Sequence, residues 1–350
     1  MLGVYGAALF MSLAGGFVFV PFSIWLARKM SVMDRPDFRK VHRDPLPRWG
    51  GLGLALSVFL SVGVLYFFSA QFQTLLTYRH SVYNGKEFAG VLSLNKQVIG
   101  ILFGSLFVLG LGMWDDKAGT SAPVKLLLQM IAAYIAMDYG VRLSGIVLPW
   151  GDSYITFPLI VSQMITVVWL IGFMNTVNLV DGLDGLAAGI CAIAAGTFLI
   201  VAVLQGQTQV VWFSKQLKLA GVLSAALFGA CLSFLWFNFH PAKVFMGDGG
   251  ALFLGYMLAS ITVIGTLKTT AFFSLIIPIV VVALPVLDVA ASIFRRLRSG
   301  RKVMEPDSGH LHHQLLRHGW THREAVMGVY IVTLLFSLFS ILLTVFKGKV

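Results

Sequence analysis

Two carboxylates stand side by side in the stretch Trp114-Asp115-Asp116-Lys117, at the end of a long apolar run. Neighbouring residues of a helix point about 100° apart, so both carboxylates can line the mouth of one pocket. Carboxylates held this close either share a proton or bind a cation. A solvated helix end is the alternative, but the helix dipole disfavours acids at a C-terminus. The pair therefore predicts a functional site.

Four polar side chains recur at every third position in a second motif, which contains Asn175, Asn178, Asp181 and Asp184. On a straight α-helix a step of three residues falls about 60° short of a full turn, so the first and last members would face opposite ways. They can converge only where the backbone bends or tightens, and the glycines of the motif permit this. A capped helix–loop–helix connection explains one or two of the four. The spacing thus predicts a bend near Gly182.

A third motif contains Phe-Met-Gly-Asp-Gly-Gly, and its Asp248 stands just before an apolar run. This position suits an ordinary helix N-cap. The glycines also allow the backbone to approach a phosphate group closely. Alone, the motif is a weak signal for a phosphate-binding loop.

Basic and imidazole side chains gather in two further stretches. We expect Lys40 and His42 to contact an anion, although a single Arg nearby is explained by the positive-inside rule. The second stretch is a histidine motif, which we expect to contact phosphate. Its members are His310, His312 and His313. Zinc is the alternative, since His318 and His322 follow, but this stretch contains no cysteine and no known zinc pattern.

Membrane-spanning helices must position these groups, because the chain of 350 residues is 57% hydrophobic and only 12% charged. Soluble domains contain about 25% charged residues. Residues 4–27 form an apolar run longer than the core of a cleaved signal, and we interpret them as the first span. The sequence predicts an all-α polytopic membrane protein with a single domain over residues 1–350.

Apolar runs long enough to cross a bilayer predict about ten transmembrane helices. Residues 141–156 form either an interfacial segment or part of an additional hairpin, so the number is ten or eleven. The predicted spans are 4–27, 50–69, 97–114, 122–140, 157–175, 185–204, 216–236, 250–267, 271–293 and 326–346.

Charge is distributed unevenly between the two sides. Alternating loops place 17 of the 26 Lys and Arg on one side, which the positive-inside rule makes cytoplasmic, with both termini outside. Most Asp and Glu lie on the same side, so we expect an active site at the cytoplasmic face. The net charge of +11 does not indicate nucleic-acid binding, because no soluble domain presents a basic face. Cys191 and Cys231 lie in apolar runs and predict neither a disulfide nor a metal site.

Carboxylates, amides and basic groups on one membrane face predict magnesium-dependent phosphoryl transfer. Mg²⁺, with Mn²⁺ as a substitute, binds a few carboxylates and completes its shell with water and substrate phosphates. One substrate would be cytosolic and the other lipid-borne. A secondary transporter is the alternative of another class. Its site should lie near the bilayer midplane on helices of paired repeats, and the sequence shows no internal repeat.

The motifs resemble those of the polyprenyl-phosphate N-acetylhexosamine-1-phosphate transferases, from about residue 34 to residue 318. The shared patterns are Asp115-Asp116, Asn-x-x-Asn-x-x-Asp-Gly-x-Asp-Gly-Leu, Pro-Ala-x-x-Phe-Met-Gly-Asp and His-x-His-His. The resemblance implies a ten- or eleven-span enzyme of glycosyltransferase family 4 in the bacterial cytoplasmic membrane. Such an enzyme moves a sugar 1-phosphate from a UDP-sugar to undecaprenyl phosphate and releases UMP. Dimers are common in this family, although the sequence shows no interface.

The resemblance also implies roles for single residues. Asp248 matches a magnesium-coordinating aspartate, while Asp115 and Asp116 match an acidic pair that either helps to hold magnesium or deprotonates the lipid phosphate. Asp184 is expected close to the catalytic centre, and the histidine motif near the diphosphate or the sugar. The resemblance places Lys125 near the phosphates and the ring of Phe245 against uracil. All the positions expected to contact substrate are Lys40, His42, Lys125, Asn175, Asn178, Asp181 and Phe245.

The histidine motif also separates branches of this family. The peptidoglycan branch, phospho-N-acetylmuramoyl-pentapeptide transferase, typically has three consecutive histidines followed by an acid. Here Leu311 interrupts the histidines and Gln314 follows them. This form is similar to the branch that uses UDP-GlcNAc to initiate O-antigen, common antigen or teichoic acid, although that branch often has Arg where Gln314 stands. We therefore expect UDP-GlcNAc as donor, with the pentapeptide transferase as the alternative.

Overall fold

The structure is a computed structural model that describes residues 1–34, 44–84, 87–147, 154–206, 211–265 and 319–347. Ten helices lie within these residues, and all but α3 and α5 are long and apolar enough to cross a bilayer. They are α1 (Leu2–Lys29), α2 (Gly50–Phe68), α3 (Ala70–Leu76), α4 (Leu94–Ala118), α5 (Ala122–Asp138), α6 (Leu159–Val180), α7 (Leu186–Gln205), α8 (Val211–Asn238), α9 (Gly247–Ile264) and α10 (His322–Lys347).

Within the described residues, three short antiparallel ribbons connect some of these helices. The paired strands are β1 (Met33–Asp34) with β2 (Leu46–Pro47), β3 (Arg79–Asn84) with β4 (Glu87–Ser93), and β5 (Gly145–Val147) with β6 (Tyr154–Thr156). The third ribbon lies in the region 141–156 that was expected to form an interfacial segment or part of a hairpin. Because the ribbons are confined to connections, the predicted all-α membrane fold is confirmed.

Nine of the ten predicted spans coincide in position with described helices, although their ends differ. Helix α4 continues to Ala118, so the acidic pair belongs to its last turn, and α6 continues to Val180. A helix ends where its backbone hydrogen bonds end, and polar side chains do not stop it. Helix α5 has only 17 residues. The span 271–293 lies outside the described residues, so the exact number of spans and the single domain stay predictions.

Helix α9 is the innermost helix of the described chain. Every residue from Gly249 to Ile264 is buried, and the helix packs mainly against α4 and α6 and also against α2 and α8. Cys191 and Cys231 are both free and buried. The helix bearing Asp248 is therefore held on several sides.

The outer helices present apolar surface. Phe10 and Val18 of α1, and Leu335 and Phe339 of α10, are at least half exposed. A continuous apolar exterior of this kind is unfavourable in water and suits contact with lipid chains. The chain is an integral membrane protein.

Glycines bring α2, α4 and α9 into backbone contact where α9 begins. A Cβ atom added to Gly51 would lie 2.1 Å from Cα of Gly250, and one added to Gly112 would lie 2.3 Å from the backbone nitrogen of Gly249. Only a glycine hydrogen fits at such a distance. The ends of three helices therefore meet at one point, and the acidic side chains of α4 and α9 lie there.

Candidate active site

Three carboxylates meet between the end of α4 and the start of α9, and we call them the acidic cluster: Asp115, Asp116 and Asp248. The first two belong to the last turn of α4, and the third belongs to the first turn of α9. Their side chains are 9%, 0% and 19% exposed, respectively. Buried like charges are unfavourable unless cations or hydrogen-bond donors accompany them.

Lys125 lies between two members of the acidic cluster. Its Nζ is 2.5 Å from Asp248 Oδ2 and also contacts Asp115 Oδ2. Pro123, in the first positions of α5, fixes the start of that helix just after α4. The backbone N–H of Thr120 donates to Asp115 Oδ1 over 2.6 Å. One ammonium group thus bridges two carboxylates from different helices.

Asp116 is buried and bound from several directions. Its carboxylate accepts hydrogen bonds from the backbone N–H groups of Asp248, at 3.0 Å, and Gly249, at 3.5 Å. Arg48 Nη2 lies 3.2 Å from Asp116 Oδ1 and 3.9 Å from Asp248 Oδ1. The unpaired N–H groups and the dipole at the start of a helix favour a negative charge there. Asp116 therefore caps α9 and holds Asp248 in place.

The polar series of the second motif is interrupted where the sequence predicts a bend. Helix α6 ends at Val180, and α7 begins at Leu186 after Gly185. The φ angle of Gly185 is +79°, a left-handed conformation that favours glycine. A single straight helix through the motif is thereby excluded.

The two middle members of this series lie near the acidic cluster. The side-chain amide of Asn178 lies near the carboxylate of Asp248 and favours its charged form. Asp181 follows the end of α6, and burial raises its pKa to about 7, with further contributions from the charges of Asp248 and Asp116. An Asp181 side chain with this pKa is partly protonated at neutral pH, which limits the repulsion among four neighbouring carboxyl groups.

The outer two members have other partners. The side-chain amides of Asn175 and Gln129 exchange two hydrogen bonds, of 2.7 and 3.3 Å, between α6 and α5. Asp184 Oδ2 accepts a 3.2 Å hydrogen bond from the backbone N–H of Ala242 and lies 2.8 Å from His240 Nδ1. The bend therefore distributes the four side chains between different partners.

Phe245 lies in the loop before α9 and is half-buried. Its backbone N–H donates to the carbonyl of Pro47 over 2.8 Å, and its carbonyl accepts from Gly50 over 3.0 Å. These bonds connect the loop to the segment that carries Arg48. Stacking of the Phe245 ring on uracil stays a prediction.

Five of the predicted site residues fall outside the described residues, and their roles stay predictions. These residues are Lys40, His42, His310, His312 and His313.

The donor atoms of the acidic cluster fit a hard divalent cation such as Mg²⁺. All of them are carboxylate oxygens, and those of Asp115 and Asp248 already meet at one positive charge. The oxygens of Asp116 are used by Arg48 and by the start of α9. Among the residues that the structure describes, these three aspartates do not place three ligand atoms within 4.8 Å of one another. Asp115 and Asp248 are therefore better placed as metal ligands than Asp116.

Two residues of this region were not predicted from the sequence. Arg48 was explained as positive-inside charge, and nothing in a single sequence distinguishes it from the other basic residues of its loop. His240 lies in the same motif as Asp248, and its signal was its position next to Pro241 and near that aspartate.

Comparison with known proteins gives consistent matches. The chain matches the family model described as glycosyl transferase family 4 over residues 98–266, a range that includes the whole acidic cluster. It is 32% identical to a Bacillus subtilis protein named "probable undecaprenyl-phosphate N-acetylglucosaminyl 1-phosphate transferase", over 96% of this chain and 84% of the relative.

Two further relatives extend the comparison. The chain is 35% identical to the decaprenyl-phosphate N-acetylglucosaminephosphotransferase of Mycobacterium leprae, over 87% of this chain and 75% of that protein. It is 34% identical to the phospho-N-acetylmuramoyl-pentapeptide-transferase of Desulfotalea psychrophila, over 69% of this chain and 70% of that protein.

Proposed function

The chain belongs to glycosyl transferase family 4, and from this premise we propose that it transfers N-acetylglucosamine 1-phosphate from UDP-GlcNAc to undecaprenyl phosphate. The products are UMP and a lipid-linked diphosphate sugar. The bacterial relatives that act on polyprenyl phosphates with N-acetylglucosaminyl groups support this choice of acceptor and sugar.

The observation that carries the proposal is the acidic cluster with its two cations. Carboxylates from α4 and α9 meet with Lys125 and Arg48 at one end of the helix bundle. Phosphoryl transfer needs positive groups that bind phosphate oxygens and carboxylates that hold a divalent cation. A transporter site is not supported, because these groups lie at helix ends.

In the proposed reaction, an oxygen of the lipid phosphate attacks the β-phosphorus of UDP-GlcNAc. A new P–O bond forms to the lipid phosphate, and the bond between the β-phosphorus and the bridging oxygen breaks, so the electron pair leaves with UMP. A strong base is unnecessary, because the second pKa of a phosphate monoester is about 6. The chain must therefore mainly position the two phosphates in line and neutralise their charge.

Different residues of the described site would position the phosphates and neutralise their charge. Lys125 and Arg48 supply charge that phosphate oxygens can share when the substrates bind. Asp116 fixes the start of α9, and Asn178 orients the carboxylate of Asp248. Asp115 and Asp248 would hold Mg²⁺, with Mn²⁺ as a substitute, and the bound ion would neutralise charge on the diphosphate.

We place this site at the cytoplasmic face of the bacterial inner membrane, with both termini outside. The excess of Lys and Arg in the loops on that side supports the orientation. UDP-sugars are cytosolic and the acceptor is a membrane lipid, so a site at the end of the bundle reaches both. The product would initiate a cell-envelope polysaccharide such as O-antigen, common antigen or teichoic acid.

The test is an assay of the detergent-purified protein with UDP-GlcNAc, undecaprenyl phosphate and Mg²⁺, with UMP as the readout. We expect UMP release that depends on the acceptor lipid and stops when EDTA is added. Parallel reactions contain UDP-GalNAc or UDP-MurNAc-pentapeptide, because the pentapeptide transferase is the alternative within the family. Release of UMP only with UDP-MurNAc-pentapeptide would favour that alternative. If no donor gave UMP, the proposal that the protein is a sugar-phosphate transferase would be wrong.

A second experiment distinguishes direct attack from a two-step route through a covalent aspartyl intermediate. The protein is incubated with UDP-GlcNAc and Mg²⁺ in the absence of lipid. Direct attack predicts no UMP and no labelled protein. Stoichiometric UMP together with sugar phosphate attached to the protein would establish the two-step route.

A further inference from the structure

Three side chains from separate parts of the chain meet beside α10, and we call them the histidine corner: Asp184, His240 and His322. Asp184 lies in the turn between α6 and α7, His240 follows α8, and His322 is the first residue of α10. A carboxylate oxygen and one nitrogen of each ring all lie within 4.8 Å of one another. This is the one such group of three possible metal ligands among the described residues.

The contacts within the histidine corner are close. His240 Nδ1 is 2.8 Å from Asp184 Oδ2. The two imidazole rings are stacked, with their centroids 4.3 Å apart and their planes 18° from parallel. The stacking brings a nitrogen of each ring close to the same point, as ligands of one ion require.

His322 provides a second, independent observation. Both of its ring nitrogens are inaccessible to solvent, and within the described part of the chain neither makes a hydrogen bond of ordinary geometry, although a backbone group of Asp184 approaches the ring. A buried polar atom without a good partner is unfavourable, because it has lost its hydrogen bonds to water and gained none in exchange. Such an atom in a native site calls for a missing partner, and a metal ion is one of the partners that satisfy it.

We infer that the histidine corner binds a divalent transition-metal ion of the zinc type. Two imidazole nitrogens and one carboxylate oxygen are ligands that such ions prefer, whereas Mg²⁺ and Ca²⁺ prefer oxygen alone. Three protein ligands leave at least one coordination position for water or for an anion.

Neighbouring contacts hold the three ligands together without the ion. Arg323 Nη2 donates to the backbone carbonyl of His240 over 3.1 Å, and the hydroxyl of Tyr330 donates to the carbonyl of Gly185 over 2.5 Å. The start of α10 is thereby fixed to the loops that carry the other two ligands. An ion at this position would connect α10 to the turn that follows Asp181. The inference does not depend on the proposed transfer reaction.

Titration with Co²⁺, a spectroscopic substitute for Zn²⁺, tests the site in the full-length protein. The buffer contains excess Mg²⁺ so that oxygen-only sites are occupied. We expect one Co²⁺ per chain with visible d–d absorption, and displacement by one equivalent of Zn²⁺. His322→Phe preserves ring stacking on His240 but removes the ligand. It should weaken Co²⁺ binding by more than the roughly 10- to 100-fold that loss of an outer hydrogen-bond partner causes.

Other histidines provide the controls. His80→Phe removes a histidine of β3 and should leave Co²⁺ binding unchanged. The triple variant His310→Gln, His312→Gln, His313→Gln should also retain the absorption. If His322→Phe elutes as an aggregate, His240→Gln replaces it, with the same expected loss.

Three results would overturn the inference. The first is the absence of stoichiometric Co²⁺ binding by the native protein. The second is Co²⁺ binding that survives His322→Phe or His240→Gln. The third is loss of Co²⁺ binding in the triple variant His310→Gln, His312→Gln, His313→Gln.

Discussion

The acidic cluster and the histidine corner flank the same turn between α6 and α7, yet they neutralise their carboxylates in different ways. Asp248 and Asp115 share an ammonium group, and Asp116 uses a guanidinium and the start of a helix. Asp184 instead pairs with an imidazole and one backbone N–H. Charges in both groups shift the pKa of Asp181.

This difference indicates two kinds of ligand chemistry within one region. Side chains that offer only oxygen suit hard cations and phosphate-bound magnesium, while nitrogen and oxygen together suit zinc-like ions. The permanent cations Arg48 and Lys125 keep the acidic cluster compact before any substrate arrives. The histidine corner has no permanent cation among its three members, so its carboxylate depends on an imidazole.

The largest effect should follow from breaking the acidic cluster at Asp248. In Asp248→Asn the side chain keeps its size but loses the charge that pairs with Lys125, so we expect UMP release to fall by at least about 10²- to 10³-fold. Activity is measured as acceptor-dependent UMP release. Asp138→Asn, an exposed carboxylate at the other end of α5, is the matched control and should keep normal activity. Near-normal turnover by Asp248→Asn would show that this residue is not part of the active site.

A stability effect should follow from removing the capping carboxylate of α9. Asp116→Ala leaves the backbone N–H groups of Asp248 and Gly249 without their acceptor and removes the shortest ion pair of Arg48, at a cost of about 1–3 kcal/mol. The midpoint of thermal unfolding in detergent should fall. Asp116→Asn retains one acceptor oxygen and should lie between the variant and the native protein. Equal midpoints for all three proteins would contradict the capping role.

The pH dependence of the free energy of unfolding should reveal the titration of Asp181. Its folded-state pKa of about 7 lies above the ordinary value of 3.8, so between these values the folded protein holds a proton that the unfolded chain has lost. Stability therefore decreases as the pH rises from about 4 to about 7, by at most about 1.4 kcal/mol per pH unit for one group.

Asp181→Asn cannot titrate, and it should remove this part of the decrease. The two proteins are compared by thermal unfolding in EDTA at several pH values. The difference between native and variant stability should change with pH below 7 and level off above it. A difference that is constant over the whole range would show that Asp181 is already ionised at acidic pH.

The smallest effect should come from the histidine corner. Tyr330→Phe removes the hydrogen bond to the carbonyl of Gly185, which is worth about 1 kcal/mol. The unfolding midpoint should decrease slightly, and Co²⁺ binding should weaken if this bond helps to fix Asp184. Tyr134 of α5 is 65% exposed, so Tyr134→Phe is the control and should change neither quantity. If Tyr330→Phe reduced UMP release as much as Asp248→Asn does, the acidic cluster and the histidine corner would work as one site.

Much of the candidate site could be predicted from the sequence because the carboxylates and amides stand in short motifs. Asp115, Asp116, Asp248 and the bend after Val180 were all predicted, the bend from a spacing that no straight helix could use. Lys125 was identified through family resemblance, and its contacts with the acidic cluster are seen in the structure. The different partners of Asn175 and Asp184 could not be predicted, since the sequence does not show how far the backbone turns.

By itself, the sequence determined the membrane environment, the approximate helices and the types of side chain available for chemistry, because hydropathy and spacing are local properties. Only the tertiary structure decided which of these groups meet. Arg48 contacts Asp116 because glycines let α2, α4 and α9 approach at backbone distance. His240 and His322 stack because α10 returns to the end of α8, and such long-range contacts depend on packing that no local pattern encodes.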